Sequence, residues 1–314
     1  MYQIPDCSNV IIVGSVIKDV SELSPNEDST FWLTRVITNP FFDPLAPKEI
    51  QNRSRLTVGI KITRPALGKS AMDLISKGQR ALFKGVMGIR RTPFYDNDKN
   101  PYKVMIDGTE YQIERTEPLV YLSSFIPITD GANNKDQFDI EAIGNVINDP
   151  VIKDKDDRKT LYLKFISNPF RKKFDKDGNE NPIEKQNMLR GFYGVKVTSK
   201  SLIERISKEV TRGTRIRFVG RVGARRVPYK INHNGNLVQV VGSDHNGKET
   251  ELEKTELVIY VSNYAIINTP MKGMLEKGMT TQAQEKQDLE CECKFINTEE
   301  HNEENAAAME MTAN

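Results

Sequence analysis

The stretch Gly78–Phe94, GQRALFKGVMGIRRTPF, is written a second time at Gly213–Tyr229 as GTRIRFVGRVGARRVPY. At a constant separation of 135 residues the two copies share three glycines, three arginines, a phenylalanine and a proline. An internal repeat of this kind predicts two similar structural units in one chain.

Within each copy apolar and basic side chains alternate with a period of two, which is the pattern of a strand with one buried face. The apolar side includes Phe83 and Phe218. Glycines at Gly85 and Gly220 indicate bends or close approaches to the strand backbone. The stretch therefore predicts a long, bent strand whose outer side carries basic residues, namely Arg80, Lys84 and Arg90 in the first copy and Arg215, Arg217, Arg221 and Arg225 in the second.

The repeat extends on both sides of this basic strand. FWLTRVIT at Phe31–Thr38 is matched by TLYLKFIS at Thr160–Ser167, and both end in Asn-Pro-Phe, where proline stops strand pairing. In both units a third alternating strand, a short helix, the basic strand, a turn-rich hairpin and a closing strand follow in that order. A single helix between the third and fourth strands of a five-stranded barrel is the order of the OB-fold.

We therefore predict an all-β protein with one short helix per unit, built as two tandem OB-fold five-stranded barrels with projecting β-hairpins and a disordered acidic tail. The predicted boundaries are residues 1–128 for the first barrel, 129–137 for a linker, 138–270 for the second barrel and 271–314 for the tail. From Met271 onward Gln, Glu, Thr, Asn and Ala dominate, a composition typical of disorder.

The net charge of +2 is unevenly distributed along the chain. Residues 1–137 hold 17 Lys/Arg and 16 Asp/Glu, net +1, whereas residues 138–270 hold 24 and 17, net +7. The tail holds 4 and 10, net −6. A basic unit followed by an acidic tail predicts a polyanion as partner, and a tail that competes with it or recruits another protein.

Several classes of protein are not indicated by the sequence. No apolar run approaches the roughly 20 residues that span a bilayer, and the N-terminal segment lacks a secretion signal, so we expect a cytoplasmic protein without a membrane partner. Cys7, Cys291 and Cys293 lack the spacing of a zinc site. The histidines have no nucleophile or metal pattern near them, and there is no phosphate-binding Gly-rich loop. We expect no enzymatic activity and no cofactor.

On its strand order, duplication and acidic tail, the chain resembles the single-stranded DNA-binding proteins built from OB-folds, in particular those with two OB-folds in one polypeptide. The resemblance covers about residues 8 to 314. It implies single-stranded DNA as the partner, bound for replication, recombination or repair. It also implies four OB-folds per assembly, hence a homodimer, although a monomer or a filament on DNA fits the sequence equally.

The tail departs from the bacterial pattern that this resemblance implies. It ends in AAAMEMTAN rather than in the apolar, Phe-containing tip that docks on partner enzymes. The docking mode of the bacterial tails is therefore not expected here, although replication or recombination proteins stay the expected partners of the acidic tail. Because the sequence looks unlike a standard chromosomal member, a phage- or plasmid-encoded version is plausible.

Nonspecific binding of a single strand needs cations along the phosphates and flat side chains on which bases stack. OB-folds bind oligonucleotides on the outer face of the second and third strands. Alternation puts Trp32 in the core and leaves as candidates on those strands Arg35, Arg55, Lys61, Tyr162, Lys164, Arg190, Phe192 and Lys196. The basic strand and its hairpin add Arg90, Arg91, Phe94, Tyr95, Arg221, Arg225, Arg226 and Tyr229.

Structural alternatives stay open for these residues. An outward arginine can be a solvated charge, and Phe94 and Tyr229 can pack at the base of the hairpin instead of stacking on bases. The Asn-Pro-Phe segments that contain Phe41 and Phe170 are interpreted as strand ends. At the level of function, a tandem OB-fold scaffold for proteins and a single-stranded RNA binder are the alternatives.

Overall fold

The structure, a computed structural model, describes residues 4–26, 29–45, 47, 55–95, 100–129, 135–155, 158–175, 177–243 and 249–268. The predicted acidic tail, 271–314, lies outside the described residues. In the described part of the chain, no helix is long and apolar enough to cross a membrane.

Strands and short helices make up the fold. The strands are β1 (Cys7–Asn26), β2 (Ser29–Thr38), β3 (Leu56–Ile62), β4 (Arg80–Pro93), β5 (Lys103–Ile106), β6 (Thr109–Gln112), β7 (Glu114–Ile128), β8 (Gln137–Val146), β9 (Val151–Lys155), β10 (Arg158–Ser167), β11 (Gly191–Val197), β12 (Arg215–Pro228), β13 (Lys230–His233), β14 (Asn236–Gln239), β15 (Val241–Ser243), β16 (Glu249–Glu251) and β17 (Glu253–Asn268). The helices are α1 (Pro65–Leu74), α2 (Ile183–Asn187) and α3 (Lys200–Glu209).

Each half of the chain closes into a five-stranded barrel. The first has the order β2-β3-β7-β4-β1, and β1 pairs again with β2 to close it. The second has the order β10-β11-β17-β12-β8, closed by pairing of β8 with β10. In both barrels the third strand runs parallel to the closing strand, and a helix separates the third strand from the fourth. This is the OB-fold order, so the predicted fold class is confirmed.

The second barrel departs from the prediction in detail. Its described residues contain two helices rather than the predicted one: α2 lies before β11 and α3 lies after it. Its first strand is interrupted between β8 and β9, whereas β1 runs for 20 residues without a break. β9 pairs with β10 as the end of β1 pairs with β2, and α2 lies in the connection from β10 to β11, so the barrel order is unchanged.

The predicted hairpins exist but do not project freely. Asp107-Gly108 and Asn234-Gly235 form their turns with positive φ at both residues, as Asp-Gly and Asn-Gly turns require. The two hairpins pack against each other through an apolar cluster centred on Ile113, Ile231 and Val240. The apolar side chains on the facing sides of the two hairpins are therefore buried where the hairpins meet.

The two barrels are joined by strand pairing. β1 runs antiparallel to β8, with Val10 opposite Ile140, and the two barrels thereby share one eleven-stranded sheet. The buried apolar residues of both units form one core cluster. The repeat therefore folds as two barrels with a common core.

Two aspartates secure this junction from both sides. Asp6 accepts a hydrogen bond from the backbone N–H of Asn168 (2.7 Å), just after β10, and forms an ion pair with Arg215 of β12 (2.7 Å). Asp136 accepts a hydrogen bond from the backbone N–H of Asn39 (2.6 Å), just after β2, and forms an ion pair with Arg80 of β4 (2.8 Å). Arg215, predicted to face solvent, is only 8% exposed, because it is paired with Asp6 at the junction.

The Asn-Pro-Phe segments end their strands as predicted and then cross to the other barrel. Phe41, after β2, packs on Tyr260 of β17 with ring centroids 4.5 Å apart. Phe170, after β10, packs on Tyr121 of β7 at the same distance of 4.5 Å. Each barrel therefore covers part of the closing strand of the other.

The close approach of backbones at the bend of β12 gives a stability prediction. A Cβ added at Gly220 would lie 2.2 Å from the carbonyl oxygen of Tyr260. Backbone cannot move aside as a flexible side chain can, so Gly220→Ala should lower the free energy of unfolding by about 1–3 kcal/mol.

The matched control for this prediction is Gly194→Ala. A Cβ at Gly194 would meet its nearest neighbour at an ordinary 3.4 Å, so this change should leave stability nearly unaltered. Chemical denaturation measures both variants, and equal unfolding free energies would show that the approach at Gly220 is not the constraint described.

Candidate nucleic-acid interface

The outer faces of the second and third strands lie side by side in each barrel. The register pairs Leu33 with Lys61 in the first barrel and Tyr162 with Lys196 in the second. Residues paired in register project to the same side of a sheet, so these side chains share a face. Trp32 points the other way and is 2% exposed, which confirms its predicted place in the core.

In the second barrel, rings and cations alternate across four neighbouring strands, β17, β11, β10 and β9. Lys196 lies with its Nζ 5.4 Å from the ring of Tyr260 on β17, and Lys153 lies with its Nζ 5.6 Å from the ring of Tyr162. Burial raises the pKa of the Tyr260 hydroxyl, and its neighbour Tyr162 raises it further while Arg225 lowers it. The register places Tyr162, Lys196 and Tyr260 side by side on neighbouring strands, with Arg221 of β12 beyond Tyr260.

The same surface continues along β10 and β11. Lys164 is exposed and faces Gly194 in register, and the side chains of Val258 and Glu256 lie next to the position of Gly194. The guanidinium carbon of Arg190 lies 4.8 Å from the ring centroid of Phe192. We call this surface the second-barrel face, formed by Tyr162, Lys164, Arg190, Phe192, Lys196 and Tyr260.

The basic strand β12 keeps three of its predicted candidates exposed. The side chains of Arg221, Arg225 and Arg226 are 49%, 47% and 67% exposed. Each also has a carboxylate partner, which partly balances its charge. These partners are Asp139 at 3.6 Å for Arg221, Glu256 for Arg225 and Glu253 at 3.8 Å for Arg226.

In the first barrel the corresponding lysine is already engaged with aromatic rings. Lys61 has its Nζ 4.1 Å from the ring centroid of Phe31 and 5.8 Å from that of Tyr121. Arg55 is exposed just before β3. We call this surface the first-barrel face, formed by Leu33, Arg35, Thr57, Lys61 and Tyr121.

Arg90, predicted to be an outward phosphate ligand, is buried and paired. It is 9% exposed, and its Nη2 lies 3.0 Å from Glu117 on the neighbouring strand. The same carboxylate lies 3.1 Å from Arg115 and 3.8 Å from Arg35. We call these four residues the Glu117 cluster. The predicted outward position of Arg90 was wrong because Glu117 stands directly opposite it in register and pairs with it, whereas its role in binding nucleic acid stays a prediction.

The pKa of Glu117 is set by two opposing effects within this cluster, burial and the charges of the arginines. Burial acts most strongly and would raise the pKa, but Arg115, Arg90 and Arg35 together outweigh it, so the pKa of this carboxyl lies below its ordinary value. Burial also lowers the pKa of Arg35, and the carboxylate of Glu117 opposes that shift. One carboxylate thus serves as the shared counter-ion of three guanidinium groups.

The aromatic pair at the base of the hairpins packs internally. The rings of Phe94 and Tyr229 meet edge to face with centroids 6.4 Å apart, and the Tyr229 hydroxyl accepts a hydrogen bond from the backbone N–H of Glu114 at 3.1 Å. The packing alternative is therefore present for both rings, and their stacking on bases stays a prediction. Tyr95 forms a β-bridge with Pro101 in the hairpin.

Several residues of these faces were not predicted from the sequence. Tyr121 and Tyr260 belong to them because the closing strand lies beside the third strand. Their recurrence in both units was the signal that could have identified them. Arg91, a predicted candidate, is half-buried on β4. Among the described residues, no group of His, Cys, Asp and Glu is arranged to hold a metal ion.

No family model and no curated protein matches the chain. Among solved structures, the chain is similar to the single-stranded DNA-binding protein from Thermus aquaticus, with 12% identity, a TM-score of 0.46, and coverage of 85% of this chain and 96% of that one. It is also similar to the small single-stranded DNA-binding protein from Streptomyces coelicolor, with 16% identity, a TM-score of 0.27, and coverage of 41% and 94%. A third similar structure is a Plasmodium falciparum SSB in complex with ssDNA, with 18% identity, a TM-score of 0.28, and coverage of 43% of this chain and 99% of that one. At these values the fold assignment rests on the strand order of the chain itself.

Replacing Glu117 by glutamine should destabilise the first barrel, because three guanidinium groups lose their shared counter-ion. We expect the free energy of unfolding at about pH 7 to fall by roughly 1–3 kcal/mol, as for hydrogen bonds to charged groups. Glu256→Gln is the matched control, since Glu256 pairs with the more exposed Arg225, and it should cost about 1 kcal/mol or less.

The stabilisation by Glu117 should also depend on pH. Because the pKa of Glu117 is lower in the folded protein, its contribution is complete above the unfolded-state pKa of about 4.3 and is lost as the pH falls through the folded-state pKa. Denaturation of wild type and E117Q between about pH 7 and 3 measures this. If acid weakens both proteins by the same amount, Glu117 is not the titrating group.

Proposed function

We propose that this protein binds single-stranded DNA without sequence specificity. The observation that carries the proposal is the second-barrel face, where exposed Lys164 and half-buried Lys196 alternate with the rings of Tyr162, Phe192 and Tyr260. Cations of this kind neutralise phosphates and rings of this kind stack on bases, which is the combination that single-strand binding uses.

The charge distribution supports the same function. The unit that carries the second-barrel face, residues 138–270, has a net charge of +7, which attracts a polyanion over a distance. Aromatic stacking and phosphate contacts do not read base edges, because every base has a π-face. The protein would therefore coat strands of any sequence and protect them during replication or recombination.

The proposed role is that of a binding protein rather than an enzyme. It requires no cofactor, because neutralisation and stacking are complete without one. We propose the cytoplasm as its place of action, with the acidic tail, net −6, as the segment that contacts replication or recombination proteins. A homo-oligomer or a filament on DNA is compatible with the proposal.

A protein-interaction scaffold is the second candidate, and one observation favours it for the first unit. Residues 1–137 carry a net charge of only +1, and Arg35, Arg90 and Arg115 are paired with Glu117. If this alternative is correct, fluorescent oligo-dT will not bind the chain at low salt.

The proposal predicts a salt dependence that specific lysines set. In fluorescence anisotropy titrations of labelled oligo-dT at several salt concentrations, the log–log slope should change by about 0.7 for each phosphate contact removed. Lys164→Ala with Lys196→Ala should therefore flatten the slope by about 1.4 and weaken binding.

The matched control removes the same charge elsewhere. Lys69 on α1 and Lys208 on α3 are exposed lysines on the helices, and their double alanine variant should retain the slope of the wild type. Equal slopes for the two double variants would mean that the second-barrel face is merely solvated surface. Competition with oligo-U in the same assay distinguishes a preference for RNA.

A further inference from the structure

We propose that the two barrels are functionally unequal: the second-barrel face is the primary strand-binding face, and the first-barrel face is a secondary one whose Arg35, like the neighbouring Arg90 and Arg115, is withheld by Glu117. This inference rests on the proposed function and states which of the two barrels contributes most to binding.

The duplication allows the two faces to be compared position by position. The strand register is the same in both barrels: Leu33 stands opposite Lys61 as Tyr162 stands opposite Lys196. Equivalent residues therefore occupy equivalent places on the two barrels. A difference in residue type at such a place is a difference in what that face can bind.

The first difference is in stacking platforms. The first barrel has Leu33 where the second has Tyr162, and Thr57 where the second has Phe192. Thr57 pairs in register with Ile37, just as Phe192 pairs with Ile166, so the equivalence holds in the structure. Two of the rings on which bases would stack are therefore present on the second-barrel face alone.

The second difference is in the exposure of the cations. Lys164 is exposed, whereas its equivalent Arg35 lies 3.8 Å from Glu117 with its side chain 22% exposed. In the basic strand, Arg221 stands opposite Tyr260 in register, where the first barrel has Val86 opposite Tyr121. Arg221 pairs with Asp139 at 3.6 Å but keeps 49% of its side chain exposed. The second barrel thus presents an exposed cation at two places where the first has a more buried arginine or none.

The Glu117 cluster explains why the arginines of the first barrel contribute less. Glu117 contacts Arg35, Arg90 and Arg115 within 3.8 Å, so a phosphate must displace a carboxylate that three guanidinium groups share. In the second barrel the equivalent Glu256 contacts Arg225, while Lys254, the equivalent of Arg115, lies with its Nζ 5.5 Å from the ring of Tyr229. The carboxylate recurs in both barrels, and the three-arginine arrangement belongs to the first.

Features common to both faces make the first face secondary rather than inert. Lys61 and Tyr121 repeat the pair Lys196 and Tyr260, with distances of 5.8 and 5.4 Å from ammonium to ring. A strand held by the second barrel would find one cation and one ring at the corresponding place on the first.

Reciprocal exchange of residues between the faces tests the inference with conservative changes. Tyr162→Leu with Phe192→Thr gives the second face the residues of the first, and Leu33→Tyr with Thr57→Phe does the reverse. The probe is a fluorescent oligo-dT of about 12 nucleotides, a length that one OB-fold can occupy. The first exchange should weaken binding by about tenfold or more, because stacking on two rings is lost, and the second should strengthen it severalfold.

Glu117→Gln tests the withheld arginines directly in the full chain. Released from their counter-ion, Arg35 and its neighbours should raise the affinity for oligo-dT severalfold and steepen the salt dependence by about 0.7 for each phosphate gained. Glu256→Gln should give a smaller gain. Circular dichroism at the assay temperature verifies that each variant is folded.

The outcomes separate this inference from the proposed function. Absence of oligo-dT binding by the wild-type chain would overturn both. If the wild type binds but the Tyr162 and Phe192 exchange changes affinity by less than about twofold, the inequality of the faces is overturned while the function stands. An E117Q protein that is folded yet shows unchanged affinity and slope would overturn the role of Glu117.

Discussion

The antiparallel pairing of β1 with β8 is the contact on which the rest of the molecule depends. It joins the two five-stranded barrels, together with β9 at the edge, into one sheet of eleven strands with a common apolar core. The aspartates Asp6 and Asp136 fasten the junction by binding the basic strand and the end of the second strand. Because Asp6 and Asp136 lie at the junction of the barrels, their contacts affect how the first-barrel face and the second-barrel face are positioned relative to each other.

The junction also determines what each face contains. Phe41 and Phe170 reach the partner barrel beside Tyr260 and Tyr121, so the aromatic surface of each barrel is completed by the other. A single isolated barrel would lack this ring and would expose the closing strand it covers. The duplication is therefore more than two copies of one binding unit, since each copy depends on its neighbour for part of its surface.

The sequence predicted the barrel order, the hairpin turns and the core place of Trp32, because these depend on local patterns. Trp32 alternates with outward residues, and the structure adds that it packs on Gly68 of α1. The burial of Arg90 could not be predicted, since it depends on Glu117, 27 residues away, standing opposite in register. The crossing of Phe41 to Tyr260 depends on the approach of the two barrels, which no single strand pattern encodes.

Photochemical cross-linking tests whether the proposed binding takes place on the second-barrel face. Ultraviolet irradiation of the full chain with oligo-dT, followed by mass spectrometry of the digested complex, identifies the residues that stack on thymine. We expect cross-linked peptides from β10, β11 and β17 that include Tyr162, Phe192 or Tyr260. Cross-links confined to the hairpins or to the first barrel, in a chain that binds the oligonucleotide, would contradict this expectation.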